Sequence, residues 1–94
     1  MWRKDSGLTK AAREELREAL ARELGASRGR VCYITWKRLV KRNRRLAKGF
    51  MWLKLNLQEV LPRSVMCENG LWVLVKCERR NSVMNYIYIR EVGG

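Results

Sequence analysis

Between Trp36 and Lys48, seven of thirteen positions are cationic and none is acidic: Lys37, Arg38, Lys41, Arg42, Arg44, Arg45 and Lys48. Guanidinium and ammonium groups repeated at three- and four-residue spacing are suited to one chemistry above others, neutralising the phosphates of a polyanion. As folding chemistry the run is poor. Lys37–Lys41, Arg38–Arg42, Lys41–Arg45 and Arg44–Lys48 are like-charge pairs on a helix, each costing about 0.2–0.5 kcal/mol. Lys37 and Arg38 fall in the first turn, where the helix dipole disfavours cations. A solvated face needs polarity but not a single sign, whereas a polyanion would remove the repulsion and release its own counterions.

Other residues extend this candidate surface. Trp52 and Lys54 follow the basic run, and Arg79 and Arg80 stand in "ERRNS" between two strand-like segments, where they could reach a phosphate backbone. Trp2, Trp52, Trp72, Tyr86 and Tyr88 are candidates for stacking on unpaired bases, although alternation along strands sends half of such residues to a core. Trp36 lies on the apolar side of the basic run and reads as core.

Catalytic chemistry finds no foothold. There is no His, no paired carboxylates in a cleft-like setting, no glycine-rich phosphate loop and no nucleophile motif, so no enzyme activity and no cofactor are expected. The three cysteines, Cys32, Cys67 and Cys77, are odd in number and widely spaced. They suit buried thiols in a reducing interior, with a Cys67–Cys77 bridge as the alternative. Without His or a CxxC pair, no metal site is expected.

The charge balance of the 94-residue chain is +12, and it is segregated. Residues 1–23 and 59–94 each carry a net +1, while residues 24–58 hold ten basic and no acidic residues. That block points to nucleic acid first, and to an anionic membrane surface or an acidic protein only after it. No apolar run approaches the ~18 residues of a membrane span. The N-terminal "MWRKDSGL" lacks the apolar region of a secretory leader. The expected setting is intracellular and reducing, cytoplasmic or nucleoid-associated. No membrane partner is expected, and a homodimer is compatible with the sequence.

The length and the 47% apolar content fit one globular domain over residues 1–94. Leu8, Ala12, Leu16, Ala19, Leu20 and Leu24 set out a helix over about 9–24, capped at Ser6 or Thr9 and ended by Gly25. "VCYIT" reads as a strand, and Thr35 as the N-cap of the basic run. On a wheel, Trp36, Leu39, Val40, Leu46 and Ala47, with Asn43 among them, share an apolar face, so 36–48 reads as one amphipathic helix closed by Gly49. Residues 50–61 alternate like a strand but also give a helical stripe through Phe50, Leu53, Leu57, Val60 and Leu61. The helix is preferred, and Pro62 ends either version. Asn69-Gly70 marks a hairpin, and "LWVLVKC" and "VMNYIYIREV" read as two strands.

The expected fold is α+β, with two or three helices packed on a C-terminal antiparallel hairpin or small sheet in an order resembling a winged helix. There Arg44, Arg45, Lys48, Trp52 and Lys54 would face the ligand and "ERRNS" would be the wing. The alternative is a four- to five-stranded antiparallel sheet with two helices on one face. The expected function is non-catalytic nucleic-acid binding, with duplex DNA favoured. Binding of single-stranded DNA or structured RNA, as a ribonucleoprotein subunit would do, is the alternative. An interaction module for an acidic protein comes third.

Overall fold

A computed structural model describes the backbone of residues 3–91 and the side chains from Lys10 to Glu91. The fold is α+β: α1 (Arg3–Gly25), β1 (Val31–Ile34), α2 (Trp36–Arg42), α3 (Arg44–Gly49), α4 (Met51–Val60), β2 (Ser64–Cys67), β3 (Gly70–Arg80) and β4 (Val83–Glu91). The strands form one antiparallel sheet in the order β1-β4-β3-β2.

The helices cover one face of this sheet. Ala12, Leu16, Ala19, Leu20 and Leu24 of α1 share a core with Leu39 of α2, Leu46 of α3 and Leu53 and Leu57 of α4. From the sheet, Cys32, Ile34, Val65, Trp72, Tyr86 and Tyr88 close it. Register explains the set, since Ile34 pairs with Tyr86, Cys32 with Tyr88 and Val65 with Trp72, and directly paired residues point to the same face. Trp36, Val40 and Phe50 pack partly buried at the margin. All three cysteines are free thiols, so Cys67 and Cys77 do not form a bridge.

Helix α1 begins at Arg3, before both expected caps, so Ser6 and Thr9 lie inside it; the Leu8 side chain and Trp2 lie outside the described residues. At its other end, Asn69 Nδ2 donates to the carbonyls of Leu24 at 3.0 Å and Ser27 at 3.2 Å, taking up acceptors that the helix terminus leaves free. Asn69 Oδ1 accepts from Trp72 Nε1 at 3.1 Å. The β2–β3 turn is thereby tied to the end of α1. Its two-residue loop is Glu68-Asn69, one residue earlier than Asn-Gly pairing suggests, with Cys67 opposite Gly70. Gly70 follows at φ +134°, and a Cβ there would meet Arg90 Cγ at 3.0 Å and the Glu91 carbonyl oxygen at 3.2 Å. That position accepts glycine alone without strain.

The basic segment is not one helix. It breaks at Asn43, which has φ −128° and ψ 77°. Asn43 is buried, and its Nδ2 donates to the Leu39 carbonyl at 2.9 Å while its Oδ1 accepts from Arg22 Nη1 of α1. A buried amide cannot leave its hydrogen bonds unmade, and it obtains them by ending α2. The break turns α3 so that Leu46 is buried and Ala47 is exposed, although a continuous wheel places both on the apolar face. Residues 51–60 are the helix that the stripe through Leu53 and Leu57 indicates. Beyond it, Tyr88 Oη donates to the Pro62 carbonyl at 2.6 Å.

Candidate nucleic-acid interface

Thr35 opens α2 in extended conformation, and its hydroxyl accepts from the Arg38 backbone N–H at 3.1 Å. This cap sets the first turn, so that Lys37 faces a cleft of about 380 Å³ between α2, α4 and the β3–β4 hairpin. The same cleft is lined by Lys54 of α4 and Arg79 of β3, with Trp36, Leu57 and Tyr86 among its apolar walls and Ser82 at the hairpin end. Three cations from three separate elements converge here, and among the described residues no carboxylate lines the cleft. Among the described residues none of these three makes an ion pair.

Lys41, Arg44, Arg45 and Lys48 are exposed on α2 and α3, likewise without ion pairs among the described residues. The break at Asn43 separates Lys41 from Arg45, so their expected helical repulsion does not apply. It persists for Lys37–Lys41 and Arg44–Lys48, each pair within a single short helix.

Arg38 and Arg42 are placed differently. Both reach the carboxylate of Glu23, only 3% exposed on the buried side of α1. Arg38 Nε donates to Glu23 Oε1 at 3.1 Å and its Nη1 to the Tyr33 carbonyl at 2.8 Å. Arg42 Nε stands 3.5 Å from Oε2, an ion contact rather than a hydrogen bond. The two guanidiniums therefore compensate a buried charge, which corrects their assignment to a free basic face. Sequence reasoning overlooked Glu23, although it stands four residues after Ala19 and seven after Leu16, on the stripe that α1 buries. A carboxylate at a core position calls for a cationic partner from elsewhere in the chain.

The hairpin residues also differ from expectation. Arg79 and Arg80 are the last residues of β3, opposite Met84 and Val83. The loop is only Asn81-Ser82, both at positive φ of 49° and 67°, the backbone of a tight two-residue hairpin turn. Because alternate strand residues face opposite sides, Arg79 joins the cleft while Arg80 does not. Arg80 Nε donates to Glu78 Oε2 at 3.1 Å, and Lys76 Nζ approaches the same carboxylate at 3.4 Å.

Of the stacking candidates within the described residues, Trp72, Tyr86 and Tyr88 are buried. Trp52 alone among them is exposed, at 37%, on α4 two residues before Lys54. Burial pushes the Cys32 thiol up from its usual range, with the Arg38 charge working against it. No group of three or more metal-ligating side chains gathers among the described residues, and no helix there is long and apolar enough to cross a membrane. Comparisons with protein-family models, curated proteins and solved structures find no match to this chain.

Proposed function

We propose that this protein binds nucleic acid without catalysing a reaction, with duplex DNA as its main ligand. The observation that carries the reading is the convergence of Lys37, Lys54 and Arg79 on one cleft that no carboxylate lines among the described residues. Unpaired cations on three elements hold charge together at a cost in repulsion, and a phosphate backbone is the ligand that repays it. Lys41, Arg44, Arg45 and Lys48 extend the cationic surface along α2 and α3. The order of helix, strand, helices and hairpin is also that of winged-helix DNA-binding modules, an analogy of fold and not of site.

Exposed Trp52 favours single-stranded DNA or RNA as the second reading, since an exposed aromatic face on a cationic protein is the usual platform for an unpaired base. The deciding experiment is fluorescence anisotropy with duplex DNA, single-stranded DNA, double-stranded RNA and heparin at two salt concentrations. Duplex DNA should bind tightest at the higher salt. Preference for a single strand, with Trp quenching that duplex does not produce, would replace the first reading by the second. Binding to none of the four would remove both.

A further inference from the structure

The helices cover only one face of the sheet. On the opposite face, register aligns Val31 of β1 with Ile89 of β4, and Ile89 with Val73 of β3. Tyr33 pairs with Ile87 in the next row of that face, and Met66 of β2 pairs with Leu71. Tyr33 is 47% exposed, Val31 45%, Ile89 36% and Met66 73%. Ile87 is buried yet stands outside the helix-side core, as do half-buried Leu71 and Val73. The strands thus carry a second apolar cluster, with no element among the described residues over it.

We infer that this face is a dimer interface and that its occupant is a second copy of the same chain, packed sheet on sheet. Charge identifies the occupant. The ionic groups around the patch are Lys76 and Arg80, both paired to Glu78, together with Glu91, so the face is balanced in sign while the chain as a whole carries +12. An acidic partner would be drawn to the cations of α2, α3 and the cleft instead. A second copy can meet a balanced face, because a two-fold contact requires only self-complementarity. Facing sheets ~10 Å apart would interdigitate the aliphatic rows. Four strands and about seven residues of β4 give a patch of roughly 20 × 23 Å, so two copies bury on the order of 1,000 Å² in total. That area is at the lower limit for a specific contact, so the dimer should be reversible and depend on concentration. The edge strands β1 and β2 have only four residues each, which favours face-to-face packing over extension of the sheet. The two cationic clefts would then lie on the outer sides of the pair.

Sedimentation equilibrium of the full chain over a hundredfold concentration range tests this independently of nucleic-acid binding. The wild type should move from 11.1 kDa towards twice that mass. The exposed-position variant Tyr33→Lys/Ile89→Lys should remain monomeric at every concentration, with a circular dichroism spectrum and melting cooperativity like the wild type. Leu55→Glu, on the exposed side of α4, should dimerise as the wild type does. A wild type that stays monomeric at the highest concentration overturns the inference. So does a dimer that survives in the folded sheet variant, or one that Leu55→Glu dissolves.

Discussion

The basic residues of this chain are of two physical kinds, and Glu23 divides them. Arg38 gives two charge-assisted hydrogen bonds, to Glu23 and to the Tyr33 carbonyl, and Arg42 supplies a second countercharge. Arg38→Ala should destabilise the fold by about 2 kcal/mol, because it leaves a buried carboxylate less well paired. The figure sits below that for a fully buried pair because the guanidinium is partly solvated. Changing Arg38 to Glu should cost more, by setting a second carboxylate against Glu23, even though it relieves a nominal cation pair with Arg42. Arg44→Ala and Arg45→Ala, at exposed unpaired positions, should stay within about 0.5 kcal/mol of wild type. Urea titrations of the four variants check the contrast, and equal losses at Arg38 and Arg44 would count against it. Tyr88 gives a second test at this scale. Burial, with a smaller contribution from Cys77, pushes its phenol well above the usual range. The folded state therefore favours the neutral form, and its contribution is fully present below pH ~10 and lost as the pH rises past the ordinary tyrosine value. Tyr88→Phe should make the fall in stability above pH ~10 shallower, measured by thermal melts from pH 8 to 11. At neutral pH it should cost about 1 kcal/mol through the lost bond to Pro62.

At the scale of elements, the sequence was plain where one signal dominated and harder to read where two competed. The stripe of α1, the strand "VCYIT" and the Thr35 cap each had one physical reading, and the structure contains all three, with β1 ending at Ile34 so that Thr35 caps α2. Residues 50–61 had both a strand and a helix reading, and the preferred helix is the one present. The basic segment had two. Hydrophobic periodicity joined 36–48 into one helix, while Asn43 stood among its apolar residues as a polar group that burial would have to satisfy. The bonds that satisfy it run to Leu39 and to Arg22, twenty-one residues away, and a helical wheel of 36–48 does not contain Arg22. The cleft was hidden for a similar reason. Lys37, Lys54 and Arg79 lie far apart in sequence, and only the antiparallel sheet brings the end of β3 against α2 and α4. Asn43→Ala should restore helix propensity locally yet remove both tertiary bonds, with a net loss of about 1–2 kcal/mol. It should also let α2 and α3 join, which re-aims Arg44, Arg45 and Lys48 and weakens polyanion binding. Circular dichroism should record equal or greater helix content alongside the weaker binding. Reduced helix content with unchanged affinity would mean that the break does not position the cations.

For the whole molecule, the fold separates its charge from its apolar surface. The basic run of α2 and α3, Lys54 of α4 and Arg79 at the end of the hairpin present exposed cations, while the uncovered face of the sheet carries aliphatic rows with balanced charge. Salt dependence reports on the first of these surfaces. Of the cations without ion pairs among the described residues, seven that stand on α2, α3, α4 and the end of the hairpin, Lys37, Lys41, Arg44, Arg45, Lys48, Lys54 and Arg79, are candidates for phosphate contacts. If about five engage a duplex, log K should fall against log[salt] with a slope of roughly −4 to −5. Lys37→Ala/Lys54→Ala/Arg79→Ala should reduce that slope by up to ~3 if all three groups of the cleft touch phosphate. Stability should hardly move, since none of the three makes an ion pair among the described residues. Arg38→Ala should lower stability and leave the slope nearly unchanged when binding is measured well below its melting temperature. The two variants thus separate a cation held for a ligand from a cation held for a buried carboxylate. A slope near zero in the wild type, or a cleft variant that binds with the wild-type slope, would show that the convergence of Lys37, Lys54 and Arg79 serves no polyanion.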